Sequence, residues 1–204
     1  MQDGKIFLNN TLVSDFSCEV KDGDVLMIDD QEYTISLRTT EKKLIVFHKP
    51  VGYVVSRDDP HNKTIYDLLP AAFAQYRYIG RLDKDSRGLL LLSNDLDLVH
   101  RLAHPSYAWE KIYDVKLDRV LDSDAMQAAL QWVRDGDDIL HAVGIELLDD
   151  ARYRVTLQEG KNRHIRRMFA ALWYEVLDLC RIAHGEYRLD DLEEGGYRII
   201  NDKL

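Results

Sequence analysis

Thiols are scarce in this chain of 204 residues: Cys18 and Cys180 are the two cysteines, far apart and in no CxxC pair. A disulfide scaffold and a thiolate metal cage are therefore not expected, and a reducing cytoplasm is the expected compartment. Long apolar runs are missing as well. The longest, Gly88 to Leu92, is strand-sized, far short of the ~18 residues needed to span a bilayer. Met1 to Asn10 has no apolar segment behind a basic start, so no signal peptide is expected. There is no P-loop, no GxGxxG and no GxSxG elbow, which leaves nucleotide-hydrolysing and dinucleotide enzymes without support. Internal repeats and low-complexity stretches are also absent.

What is present is an ordinary globular composition, 46% hydrophobic and 31% charged, which excludes a wholly disordered chain. The net charge of −9 argues against a protein that coats itself on nucleic acid. That sum conceals an uneven distribution. Residues 1–43 carry 5 basic and 9 acidic side chains, and residues 119–150 carry 2 and 8. Residues 151–188 reverse the sign, with 8 basic against 4 acidic, before the last sixteen turn acidic again at 2 against 5. A local basic segment of this kind is compatible with a polyanion held at one face.

Short apolar runs between turn formers mark residues 1–43 as a small β-rich unit, with Asn9-Asn10 and Asp29-Asp30 at the turns. The polar stretch Ser36 to Lys43 then leads to a buried strand at Leu44–Phe47, which places a domain boundary near residue 43. Beyond it the pattern predicts a helix over Thr64–Gln75 interrupted by Pro70, and a buried strand at Gly88–Leu92. A helix capped by Asn94 or Asp95 follows, stopped by Pro105. Trp109–Arg119 alternates as a strand, with Tyr113, Val115 and Leu117 on one face. A helix is predicted over Ser123–Arg134, closed by Gly136. Then come a strand around Tyr153–Leu157, a helix of about twelve residues after Gly160, and a strand from Val176 to Ile182. Strands and helices mixed without strict βαβ alternation indicate an α+β domain around a largely antiparallel sheet.

Two segments carry candidate chemistry. Gly80 to Gly88 packs Asp83, Asp85, three cations and Ser86 into a turn ahead of an all-leucine strand. Such a turn either pairs its charges locally in solvent or holds a partly desolvated carboxylate that a fixed cation keeps ionised. The helix after Gly160 places Ile165, Met168, Phe169 and Leu172 within about a quarter turn. Arg163, Arg166 and Arg167 lie opposite, with Arg166 nearest the apolar border; guanidinium forks there suit carboxylate or phosphate oxygens. His100 and His104 have the i, i+4 spacing of a metal pair, but Arg101 stands where such a motif has glutamate and no third ligand is nearby. No metal site is expected from them.

Four segments together resemble one family. Lys49-Pro50-Val51-Gly52 resembles the KPxG entry strand of pseudouridine synthases, and Gly80 to Asp95 closely resembles the GRLDxxTxGLLLLTND motif of their RsuA-like branch. Glu110 to Val115 resembles its EKxYxV motif, and Glu159 to Met168 its EGxxRQVRRM motif. The resemblance runs in family order across residues 44–198. It implies a catalytic domain over 44–204 with a central antiparallel sheet crossed by an RNA cleft, and neither metal nor organic cofactor. It further implies that Asp83 is the catalytic aspartate, that Tyr113 packs on the target base, and that Arg166 pairs with the catalytic carboxylate. Arg81, Lys111, Lys161, Arg163 and Arg167 are the candidate RNA contacts. Residues 1–35 resemble only the C-terminal part of an S4 RNA-binding domain, so 1–43 reads as an incomplete S4-like segment. His164 replaces the usual Gln, Leu96 the Gly of NDG, and Trp173 a common Gly; Ser86 for Thr keeps a hydroxyl.

The resemblance thus implies site-specific isomerisation of uridine to pseudouridine in ribosomal RNA, and the enzyme is expected to be a monomer. Two other classes compete: a non-catalytic RNA-binding protein using the basic helix 161–172, and a glycoside hydrolase using Asp83 and Asp85 as paired carboxylates. The first leaves the full GRLD motif without a purpose. The second needs a carboxylate separation that positions two apart on a turn need not reach.

Overall fold

The computed structural model describes residues 5–15, 17–36 and 41–200, so part of the Ser36–Lys43 stretch lies outside the described residues. The chain divides into two compact units, Met1–Glu41 and Lys42–Leu204. The first is a four-stranded sheet of β1 (Ile6–Leu8), β2 (Thr11–Leu12), β3 (Val25–Ile28) and β4 (Gln31–Thr34), in the order β2-β1-β3-β4. Asn9-Asn10 and Asp29-Asp30 close its two hairpins with φ of 48° and 64°, and 49° and 64°. Asn and Asp tolerate this left-handed pair, whose twist matches the flanking strands.

The second unit is built on a nine-stranded sheet. Its strands are β5 (Leu44–Lys49), β6 (Arg77–Ile79), β7 (Arg87–Ser93), β8 (Lys111–Leu117), and, beyond a separate hairpin of β9 (Val133–Asp135) and β10 (Asp138–Leu140), β11 (Gly144–Asp149), β12 (Arg152–Leu157), β13 (Val176–His184), β14 (Tyr187–Arg188) and β15 (Tyr197–Ile200). The order is β11-β12-β8-β13-β7-β5-β15, with β14 on β13 and β6 on β7. Every neighbouring pair is antiparallel except β7 with β13. Three helices flank it: α1 (Leu96–Ala103), α2 (Ser123–Gln131) and α3 (His164–Ala171). This is the expected mixed architecture around a largely antiparallel sheet. No helix among the described residues is long and apolar enough to cross a membrane.

The leucine run is continuous rather than alternating because both faces of the sheet are covered. Leu90 and Leu92 join Ile45, Phe47, Ile165 and Phe169 in one cluster, while Leu89 and Leu91 join Leu44, Val46, Leu98 and Leu102 in another. Gly88 lets β7 and β13 close up. A Cβ there would stand 2.3 Å from the Arg181 carbonyl oxygen, and its φ of +111° is one that side-chain-bearing residues rarely adopt. Arg87 ties the same two strands, its Nε 3.0 Å and Nη2 2.7 Å from the Asp178 carboxylate.

Local signals succeed where caps decide and fail where pairing does. Asp95 caps α1, its carboxylate accepting from the Asp97 amide at 3.1 Å, and His104 ends the helix before Pro105. The helix expected over Ser123–Arg134 stops at Gln131 instead. Val133–Asp135 pairs with Asp138–Leu140, and Gly136, at φ +61°, turns that hairpin rather than closing a helix. Thr64–Gln75 is two 3-10 turns, Ile65–Asp67 and Ala71–Phe73, separated at Pro70. α3 spans eight residues, not twelve, because Arg163 sits at φ +48° and delays its start. His104 Nδ1 accepts from the Ser106 amide at 3.2 Å and its ring stacks 5.1 Å from His100. Among the described residues no His, Cys, Asp and Glu cluster is arranged to hold a metal ion.

Buried histidine makes this fold acid-sensitive. His184 is fully buried on β13, Nε2 donating to the Leu102 carbonyl at 3.2 Å. Burial, reinforced by the charges of Arg181 and Lys111, pushes its pKa down to about 3 from 6.5. Between those values the unfolded chain binds a proton that the folded chain refuses, so stability falls as pH drops below 6.5. At about 1.4 kcal/mol per unit, the descent to pH 5 costs about 2 kcal/mol at this residue. Urea unfolding at pH 7 and pH 5 checks this: His184→Gln, which keeps a donor for Leu102, is expected to lose about 2 kcal/mol of the wild-type difference.

Candidate active site

The turn between β6 and β7 carries Asp83, and its backbone is held at four consecutive carbonyls. Lys49, fully buried at the end of β5, donates through Nζ to the carbonyls of Asp83 at 3.0 Å, Ser86 at 2.7 Å and Pro50 at 3.0 Å. The Gly52 amide donates to the Lys84 carbonyl at 2.7 Å, and Arg166 Nη2 to that of Asp85 at 2.7 Å. The Ser86 amide closes the turn onto the Asp83 carbonyl at 3.1 Å. Burial pulls the Lys49 pKa down to about 8, against the opposing pull of the Asp83 and Asp85 charges. The ammonium is protonated at neutral pH, and three carbonyls use its three protons.

Within this fixed turn the two carboxylates differ. Asp85 receives Arg163 Nη1 at 3.0 Å and Nη2 at 2.8 Å, with Arg166 Nε 3.3 Å away. The Arg163 hydrogen bonds, then the Arg166 charge, hold its carboxyl below the ordinary range against partial burial. Asp83's carboxylate makes no hydrogen bond or ion pair among the described residues. It is half-buried on the wall of a cleft of about 310 Å³.

The floor of that cleft is the sheet. Tyr113 on β8, 8% exposed, stands directly opposite Arg181 on β13 in the antiparallel register, so both side chains project from the same face. Lys111 lies on the same strand, its Nζ donating to the Trp109 carbonyl at 3.0 Å; burial first, then the Arg181 charge, lowers its pKa. Arg81, Lys161 and Arg163 line the opening. His164, 4% exposed, also lines it, Nδ1 3.9 Å from Glu159, with burial lowering its pKa.

The structure thus gathers Asp83, Tyr113, Arg81, Lys111, Lys161 and Arg163 around one cleft and leaves two expected residues elsewhere. Arg166 does not pair with Asp83. It binds the Asp85 carbonyl, approaches the Asp85 carboxylate, and donates to the Val176 carbonyl at 2.9 Å, because the turn points Asp85 rather than Asp83 at α3. Arg167 lies outside the cleft lining, bound to Asp135 and, at 2.8 Å, to Asp138 of the β9–β10 hairpin. The acidic segment 119–150 neutralises it. Paired-carboxylate chemistry also loses its basis, since two guanidiniums occupy Asp85. Lys49 and Arg181 are the residues that sequence reasoning missed. Their signal was a charged side chain inside a buried strand, where Lys and Arg are almost never found without partners.

Residues 43–171 match the family model of RNA pseudouridylate synthases. The chain belongs to that family. Among its relatives, the ribosomal small subunit pseudouridine synthase A of Haemophilus influenzae is 31% identical over 202 residues, covering 97% of this chain and 86% of its own. The ribosomal large subunit pseudouridine synthase B of Xanthomonas campestris is 32% identical over 200 residues, 92% of this chain but only 40% of its own length. A crystal structure of a pseudouridylate synthase superposes with a TM-score of 0.74 at 31% identity, over 96% of this chain and 85% of that one. This pseudouridine synthase is of the RsuA-like kind, an enzyme that isomerises uridine without gain or loss of atoms.

Proposed function

We propose that the cleft beside Asp83 is the catalytic site and that its substrate is a uridine of ribosomal RNA. The carrying observation is that Asp83 has the one carboxylate of a fully hydrogen-bonded turn that no protein group engages. A group fixed in place yet unspent is what attack on a bound sugar requires. A uridine in a stem must first be extruded, and the exposed Arg81 and Arg163 with Lys161 grip the flanking phosphates at the opening. Arg163 does so by exchanging Asp85 for phosphate. The base then lies against the Tyr113 ring.

The bond from N1 to C1′ breaks with its electron pair leaving on the base. Asp83 serves at the sugar, as a nucleophile at C1′ or as a base toward the C2′ proton; both roles need its charge. The detached uracil turns, C5 bonds to C1′, the C5 proton departs and N1 takes one up. Tyr113 walls the base and relays that proton rather than removing it alone. Arg166 acts through the turn as a positioning residue. The 1–43 segment is an S4-like remnant that adds little to RNA affinity. The enzyme works as a monomer in the cytoplasm, where its substrate is made.

Arg166→Met is expected to slow single turnover at saturating RNA by about a hundredfold, since a small displacement of a reacting group suffices for that. Arg163→Met is expected to leave that rate within about threefold while weakening binding and lowering the salt slope by about one. Equal rate losses for both would contradict this division. Mapping pseudouridine in transcripts of both ribosomal subunits, treated with the wild-type chain, identifies the position. A treated pool without new pseudouridine would refute the substrate assignment.

A further inference from the structure

Arg181 stands on the cleft floor with an unusual account of its hydrogen bonds. It is 2% exposed, Nε donates to the Leu89 carbonyl at 2.7 Å, and Nη2 is buried with no partner among the described residues. Leaving a guanidinium N–H buried and unpaired is costly, so the site is built for an acceptor that arrives with a ligand. The acceptor's identity follows from position. Phosphates of a bound strand meet the exposed cations at the opening, whereas a residue 2% exposed on the sheet is reached only by an extruded base. Arg181 is the direct cross-strand neighbour of Tyr113. A ring lying on Tyr113 therefore presents its edge to that guanidinium. The edge of uracil carries two acceptors, O2 and O4, and the guanidinium has only donors.

Resting on the reading of this cleft as the catalytic site, we propose that Arg181 is a catalytic residue that donates to a carbonyl oxygen of the extruded uracil and stabilises the charge that the base acquires as it leaves the sugar. When the C1′–N1 bond breaks, its electron pair stays with the base, and the negative charge is shared among N1, O2 and O4. A fixed donor in a water-excluded site binds this anion more strongly than it binds neutral uridine, and that difference lowers the barrier. The charge is discharged when C5 bonds to C1′ and N1 is reprotonated, so Arg181 releases the product edge as it received the substrate edge.

The test pairs a protein change with an atom change in the substrate. Wild type and Arg181→Gln are compared in single turnover on RNA carrying uridine, 2-thiouridine or 4-thiouridine at the target position. Sulfur is a poor acceptor, so it removes the same contact from the other side. On uridine the variant is expected to be about a hundredfold slower, as for loss of one oxyanion donor. On one of the two thio substrates the difference is expected to shrink below about threefold, because the contact is already gone. Which one does so names the oxygen. An equal penalty on all three RNAs would overturn the proposal, and would mean that Arg181 acts on the fold or by pairing with Asp83. If melting shows Arg181→Gln to be unfolded, Arg181→Lys is run through the same three substrates, with the same outcomes deciding. Asp83→Asn on uridine RNA, measured alongside, keeps the two readings apart. Full turnover by that variant removes the catalytic site itself, whereas an inactive Asp83→Asn with equal Arg181 penalties removes only the role given to Arg181.

Discussion

Asp83→Asn is expected to lower the single-turnover rate on the order of ten-thousandfold, the scale seen when a carboxylate essential to a catalytic unit is removed. The melting temperature and RNA affinity are expected to stay near wild type. The asymmetry comes from the geometry. The structural work of residue 83 is done by its main-chain carbonyl, which accepts from Lys49 and from the Ser86 amide, and asparagine keeps that carbonyl. The carboxylate makes no contact that the amide would lose. Measured by melting, RNA titration and tritium release from uridine labelled at C5, a variant that melts early would expose a structural role for the carboxylate. One that turns over would remove Asp83 from the chemistry.

Lys49→Met is expected to give the opposite signature, with stability and rate lost together. The ammonium donates to the Pro50 and Ser86 carbonyls and shares that of Asp83 with the Ser86 amide. Removing this donor from one buried and one partly buried carbonyl costs about 2–5 kcal/mol, offset in part because methionine relieves the burial of a charge, the burial that pulls the Lys49 pKa down to about 8. A net loss of about 2–4 kcal/mol lowers the melting temperature of a domain this size by about 4–16 °C. The surviving folded fraction is expected to be nearly inactive, because the turn that presents Asp83 loses its clasp. A melting temperature and turnover rate both within error of wild type would show that the other contacts of the turn suffice.

Much of this site is legible in the sequence. The alternation of Tyr113, Val115 and Leu117 placed Tyr113 on a buried face, and burial on β8 follows that pattern. The buried leucine run, the Asp95 cap and the stop at Pro105 are local signals that survive folding. What failed was decided by partners distant in sequence. Val133 continues a helical register until Leu140 pairs with it across Gly136. Arg166 lies one helix away from two carboxylates only two residues apart, and the turn's own hydrogen bonds select Asp85. A charge count cannot see that Arg167 is answered by Asp135 and Asp138, about thirty residues earlier. Arg181 lies within Leu179-Cys180-Arg181-Ile182-Ala183, where only the register with β8 reveals that it faces Tyr113.

The most direct test of the account is the structure of Asp83→Asn bound to RNA that contains the mapped uridine. One extruded nucleotide is expected in the cleft of about 310 Å³. Its base should lie against Tyr113, and C1′ should stand about 3–3.5 Å from the side chain of residue 83, the separation of a near-attack arrangement. An RNA bound elsewhere on the protein, with its target uridine still stacked in the helix, would contradict it.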